Sequence, residues 1–394
     1  MPIGRAILFV SIMTLALFGL HTYVCLRFVR ALALGPAEQR LVKMIFAALF
    51  VVLWLSFPLE RVLPRAVASP LLWGAFTWLG TVVLFSVVFG LGDAGRLLVW
   101  LALRGGMVDE TRRAWLFRCL DVAALGGGAV LSGLSVVQGL RKPKVRQVEV
   151  VLDKLPKALS GFRIVQLTDV HIGPTLDGLW LSQLVEQVNA LSADVVAITG
   201  DLVDGSVSQL RQHVAPLSGL RARHGVFFVT GNHEYYSGVE DWLTELTRLG
   251  LRVLRNERVT LTVQTSSDTT AVPSSIDLLG VDDFHAGMFP GHGPDLARAA
   301  AGRDPQRTAL LLAHQPAQID EAERLGIDLQ LSGHTHAGQI WPWGFLVRLQ
   351  QPYVWGLHRQ GPTQIYVSAG CGFWGPPMRL GSDNELTLII LKSA

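Results

Sequence analysis

Val195-Val196-Ala197-Ile198-Thr199-Gly200-Asp201 is an apolar, partly β-branched run closed by a glycine and a carboxylate. A run of this length without alternation reads as a strand buried on both faces, as in a parallel sheet covered by helices. The glycine permits a tight turn, and the carboxylate then stands where strand gives way to loop. The same grammar recurs on both sides. Upstream, Arg163 to Thr168 reads as a strand running into Asp169-Val170-His171. Downstream, Val226 to Thr230 runs into Gly231-Asn232-His233-Glu234, Thr308 to Ala313 into His314, and Leu329 to Ser332 into Gly333-His334-Thr335-His336. Leu179 to Leu191, Val239 to Leu249 and Gln315 to Leu325 have the apolar spacing of helices. Leu251 to Leu254, Ile276 to Val281, Ile365 to Ser368 and Leu386 to Leu391 read as further strands, and residues 265–275 as a polar loop. Alternating strands and helices predict an α/β domain over 161–394. Such sheets bind ligands where loops leave the carboxyl ends of strands.

What stands at those ends is chemically uniform. Asp169, His171, Asp201, Asn232, His233, His314, His334 and His336 all offer oxygen or nitrogen donors. In extended chain, residues two apart point the same way, so Asp169 with His171, and His334 with His336, would each aim two donors at one spot. Each piece alone is ordinary. Asp-X-His is common in surface loops, Gly-Asp in turns, and a single His beside a strand is usually a satisfied structural residue. Five pieces in order, each after a strand, predict a shared metal site. The mixed N/O donor set suits Mn, Fe or Zn better than Ca. Asp204 and Glu234 are candidate carboxylates for orienting ligating histidines.

The order Asp-X-His, Gly-Asp, Gly-Asn-His-Glu, His, Gly-His-X-His resembles the calcineurin-like metallophosphoesterase superfamily over about residues 165–394. The resemblance implies a β-sandwich flanked by helices, with two divalent metal ions at one edge. Asp169, His171 and His336 would hold one ion, Asn232, His314 and His334 the other, and Asp201 would bridge them. His233 would be catalytic, contacting the leaving-group oxygen without binding metal. A hydroxide bridging the ions would attack a P–O ester, as in a phosphodiesterase or pyrophosphatase; a phosphomonoesterase is the alternative. A non-catalytic metal-binding membrane scaffold is a third reading, and the complete set of motif residues speaks against it. Gly231-Asn232-His233-Glu234-Tyr235-Tyr236, Gly280-Val281-Asp282-Asp283 and Gly333-His334-Thr335-His336-Ala337-Gly338-Gln339-Ile340 resemble the membrane-anchored subgroup in particular.

The first 140 residues have a different composition. The chain is 50% hydrophobic and 16% charged, against about a quarter charged in ordinary soluble domains, and the deficit is concentrated here. Ile7–Leu26, Met44–Leu63, Leu71–Leu91 and Cys119–Leu140 are each long and apolar enough to span a bilayer. Leu97–Leu103 is too short and reads as an extension of the third span or an interfacial piece. Further spans after the first argue against a cleaved signal peptide. Few ionisable residues lie within the spans, so an anchor is expected rather than a conduction path. Loops 27–43 and 93–118 hold nine Lys and Arg against seven on the other side. That places the catalytic domain on the extracytoplasmic face of an inner or plasma membrane. Residues 141–160 read as a basic linker and domain entry.

A net charge of +3 gives no reason to expect nucleic acid as a partner. Of the three cysteines, Cys371 is alone in the C-terminal part and reads as a small buried residue. Trp341, Trp343, Phe345, Leu346, Val347, Tyr353, Val354 and Trp355 follow His336, with Phe373 and Trp374 further on. They read either as core anchors or as an apolar wall for a lipid tail; the resemblance to the membrane-anchored subgroup implies a lipid-linked substrate, such as one of UDP-diacylglucosamine type. Residues 284–295 read as a loop near the site, with His285 and His292 as surface residues rather than ligands.

Overall fold

The computed structural model describes residues 3–59, 62–102, 110–263 and 274–394. The expected polar loop at 265–275 lies mostly outside them. The chain divides into two compact units: residues 1–140 with Gly375–Leu380, and residues 141–374 with 381–394.

The first unit holds α1 (Ile3–Ala31), α2 (Pro36–Leu59), α3 (Arg65–Ala102) and α4 (Glu110–Gly139). All four are long and apolar enough to cross a membrane. The piece at 97–102 extends α3. Packing within the unit is aromatic: Phe28 meets Phe85 edge-on at 4.7 Å, and Phe46 meets Trp78 at 5.0 Å. Trp78 is thus a packing residue, and its indole N–H donates to His21. Arg27, Asp93, Arg96 and Asp121 form a cluster from α1, α3 and α4. Arg27, Asp93 and Arg96 fall outside the expected spans but inside the helices, because α1 and α3 run beyond the purely apolar stretches that mark them. The segment Gly375–Leu380 folds with these helices, with Met378 buried and the Arg379 N–H donating to the Ser135 carbonyl at 2.8 Å.

The second unit is built on twelve strands. In chain order they are β1 (Lys144–Leu152), β2 (Arg163–Leu167), β3 (Val195–Thr199), β4 (Val226–Val229), β5 (Arg252–Val253), β6 (Glu257–Val263), β7 (Ser274–Gly280), β8 (Ala309–Leu312), β9 (Leu329–Ser332), β10 (Gly356–Gln360), β11 (Thr363–Val367) and β12 (Glu385–Ser393). One sheet runs β1-β12-β2-β3-β4-β5, the other β10-β11-β9-β8-β7-β6. Pairs β2–β3, β3–β4, β7–β8 and β8–β9 are parallel, so the strands that carry the expected site residues point the same way within each sheet. Val150, Ile164, Ala197, Phe227 and Val229 of one sheet share a core with Leu278, Leu310, Leu312, Leu329, Leu331 and Tyr366 of the other, which makes a sandwich. Leu279, Leu311, Ile365 and Val367 face outward and are covered by Leu296, Ala299, Ile319 and Ala322 of two short helices. With both faces buried, these strands are mostly apolar, and the buried Gln166 and Gln330 amides donate hydrogen bonds to Thr199 and Ser332. The basic entry segment is in part a full strand: β1 pairs in parallel with β12 over nine residues.

Candidate metal centre

Five of the eight expected site residues have left-handed backbone: Asp169 (φ 52°), His171 (52°), Asp201 (53°), His334 (70°) and His336 (49°). For residues with a Cβ this costs about 1–3 kcal/mol each and persists only where surroundings over-determine it. The expectation that Asp169 and His171 converge through an extended chain is therefore corrected: sharp turns, not pleat alternation, aim them. The turns are held by hydrogen bonds. The Thr168 hydroxyl donates to Asp169 at 2.8 Å, and the His334 N–H reaches both Asp169 oxygens at 3.0 Å. The His233 N–H donates to Asp201 at 2.9 Å. Close backbone approach needs glycine at two places. A Cβ on Gly333 would lie 2.2 Å from Asp169 Oδ2, and one on Gly231 would lie 2.2 Å from Asp201 Oδ1.

The structure brings the expected residues together in overlapping groups. Asp169, His171 and His336 form one, and Asp201, His314 and His334 another, while Asp201 also meets His171 and His233. His171 Nε2 and His336 Nε2 face each other at 3.1 Å, as do His334 Nδ1 and His314 Nε2 at 3.2 Å. The Asp201 carboxylate lies 3.1 Å from His314 Nε2. His314 Nδ1 donates to the Thr199 carbonyl at 2.8 Å, which leaves a lone pair on its Nε2. Asn232 Oδ1 is buried with no hydrogen-bond partner. Imidazole nitrogens gathered in close pairs around a buried carboxylate and an orphaned amide oxygen fit a pair of divalent cations.

His233 stands apart from these facing pairs. Its Nδ1 lies 2.5 Å from Asp204, whose same oxygen is 3.2 Å from His171 Nδ1. Asp204 thus orients one expected ligand and the expected catalytic imidazole together. Burial opposes charge on His233, but Asp201 and then Asp204 outweigh it and lift its pKa to about 10. Burial likewise pushes against Asp204, yet His171 and His233 hold it well below the carboxylate range. Glu234 does not orient a histidine. Its carboxylate accepts the N–H groups of Gly231, Asp201 and Leu202 at 2.7, 3.0 and 2.7 Å, tying the Gly200-Asp201 turn to the Gly231-Asn232 turn. Burial, then Asp201, raises its pKa to about 7.

Sequence reasoning passed over Gln315 and Asp283. The Gln315 amide donates to both Asp283 oxygens, at 3.2 and 3.0 Å, and to His285 Nδ1 at 2.9 Å. The only available signal was the Asp282-Asp283 pair at the end of β7. His285 is exposed, while His292 is half-buried and meets Arg255 at 2.8 Å. Cys371 is buried, its thiol against the Glu385 carbonyl.

The fold and site define a metal-dependent phosphoesterase class, and comparison gives the family. Residues 162–338 match the family model for calcineurin-like phosphoesterases. The chain is similar to the "Transmembrane protein with metallophosphoesterase domain" of Bos taurus, 41% identical over 81% of this chain and 73% of that one. It is similar to the protein of the same description from Danio rerio, at 40% identity over 81% and 73%. An uncharacterised metallophosphoesterase of Campylobacter jejuni is 33% identical over 97% of this chain and 98% of its own. Among solved structures, the Thermus thermophilus sulfate thiohydrolase SoxB aligns over 59% of this chain and 57% of its own, with 15% identity and a TM-score of 0.36. The chain belongs to the calcineurin-like phosphoesterase family, a family of dinuclear metal-dependent hydrolases.

Proposed function

We propose that this chain is an integral membrane phosphodiesterase or pyrophosphatase acting on a lipid-linked substrate. In this reading Asp169, His171 and His336 hold one divalent ion, Asn232, His314 and His334 a second, and Asp201 bridges them. The observation that carries it is the convergence of nitrogen and oxygen ligand atoms around Asp201, with Asn232 Oδ1 buried and without a hydrogen-bond partner among them. When bound, the ions supply Lewis acidity and charge neutralisation for an in-line displacement at phosphorus. The protein supplies the rest. The backbone turns fix the donors in advance. Asp204 holds His233 Nδ1, which leaves Nε2 to deliver a proton to the leaving alkoxide, as a general acid must.

The lipid link is supported by the stretch after His336. Trp341, Trp343, Phe345, Leu346 and Leu349 are all exposed, an unusual concentration for one short segment. Trp355 is different. Its indole N–H donates to Glu385 and its ring carries Arg146 at 4.2 Å, so it is an anchor. Replacing Trp341 and Trp343 by Ala is expected to depress turnover of a nucleotide-linked lipid more than that of a soluble aryl phosphodiester. Equal losses would remove the lipid from the proposal.

The extracytoplasmic placement rests on the excess of nine Lys and Arg in loops 27–43 and 93–118 over seven on the other side. Protease protection on sealed vesicles reads the side directly. The activity itself is tested by supplying Mn²⁺ to purified protein and screening phosphomonoesters, phosphodiesters and nucleotide-linked lipids. Hydrolysis of diesters over monoesters is expected, and hydrolysis of none would overturn the proposal.

A further inference from the structure

Two exposed aromatic rings stand against His233 and have no part in the site described so far. Tyr236 meets the imidazole edge-on, with centroids 5.5 Å apart and planes at 67°. Trp374 does the same at 5.6 Å and 74°. Both are more than half exposed, at 61% and 56%. The Tyr236 ring lies 6.2 Å from the Phe289 ring, centroid to centroid. Trp374 is pinned through its backbone by one side chain. The Gln339 carbonyl oxygen accepts the Trp374 N–H at 3.0 Å, and the Gln339 amide donates to the Trp374 carbonyl at 3.0 Å. Gln339 itself has φ 52°, on the same turn as His336. The turn that carries an expected metal ligand therefore also sets the position of this indole.

We infer that Tyr236 and Trp374 form an aromatic subsite for the leaving group, selecting one that carries a flat conjugated ring near the ester oxygen. The inference deepens the proposed function and rests on its assignment of His233 to the leaving oxygen. The geometry runs as follows. His233 Nδ1 is taken by Asp204, so a leaving oxygen meets Nε2. The body of the leaving group must then lie beside the rings that border that imidazole. A flat π-face against Tyr or Trp contributes stacking that an aliphatic group lacks, of a size that changes rates about tenfold to a hundredfold. Both rings already border the His233 imidazole before substrate arrives, which lowers the ordering the contact requires.

The test uses full-length protein with Mn²⁺ and two diesters that differ only in leaving group: methyl p-nitrophenyl phosphate and methyl trifluoroethyl phosphate. For each, kcat/KM of Trp374→Ala is divided by that of the unsubstituted protein. The aryl ratio is expected to fall at least ~10-fold further than the alkyl ratio, and Trp374→Phe to restore most of the difference. Metal content measured on each variant shows whether the site still assembles. Equal ratios for the two esters, in variants that keep their metal, overturn the subsite and leave the phosphoesterase reading standing. Failure of the unsubstituted protein to cleave either ester overturns both.

Discussion

Two clusters of charged and polar side chains among the described residues, one in each unit, are built on different principles. In the helical unit, Arg27 and Arg96 face Asp93 and Asp121. Arg27 lies 3.0 Å from Asp93 and 3.2 Å from Asp121, and Arg96 is 2.9 Å from Asp93 and pairs with Asp121 as well. The Tyr23 hydroxyl adds a hydrogen bond to Asp93 at 2.7 Å. Two cations meet two anions, and the cluster answers its own charges. In the C-terminal unit, imidazole nitrogens oppose each other at 3.1 and 3.2 Å beside buried carboxylates, and Asn232 Oδ1 has no partner. The first cluster balances its formal charges and ties three helices together, with the Nε atoms of Arg27 and Arg96 left without a hydrogen-bond partner. The second makes physical sense when cations join it. The two are told apart by whether formal charges are paired within the cluster.

Substitutions should separate the two. The largest effect on turnover is expected from Asp201→Asn, which removes the charge central to the donor groups: metal is lost, and activity falls at least ~10³-fold. If that variant keeps both ions, Asp201 does not bridge. In the helices, Asp121→Asn leaves two buried guanidinium groups facing one carboxylate. It should lower stability in detergent by roughly 3–5 kcal/mol while metal content is unchanged. A neutral result there would mean that the four-residue cluster does not hold the bundle. His233→Ala should reduce kcat at least ~10²-fold with metal retained; undiminished kcat would take it out of the mechanism. Asp204→Asn should cost ~10–100-fold, acting through His233 and His171 together. If activity drops while the His233→Ala background shows no further loss, Asp204 acts through His233 alone.

Much of this was legible because the central strands are mostly apolar and β2, β3, β4, β8 and β9 each run into a metal-ligating residue type. Val195–Thr199 into Gly200-Asp201 needs no context to be read as a buried strand with a functional end. The edges were not legible. β1, β6 and β10 are outer strands, half in water, and their sequences mix charge with apolar residues, as Lys144 to Leu152 shows. Such segments read as linker or loop. The strand β6 did carry a signal, the alternation of Val259, Leu261 and Val263. The helix expected from Gln315 begins instead as a 3₁₀ turn at Pro316–Gln318, and its α part is Ile319–Arg324. Within the site, side-chain type announced Asp169, His171, Asp201, Asn232, His233, His314, His334 and His336. Their left-handed backbone, and the roles of Glu234, Gln315 and Gln339 in bracing the turns, arise from contacts between distant loops that no local pattern encodes.

The most direct test is a count of metal ions on purified, folded, full-length chain equilibrated with Mn²⁺ and freed of excess. Two ions per chain are expected, with the count collapsing in Asp201→Asn and holding at two in Asp121→Asn. A folded chain that binds no divalent ion, or one that binds the same number with and without the Asp201 carboxylate, contradicts the account.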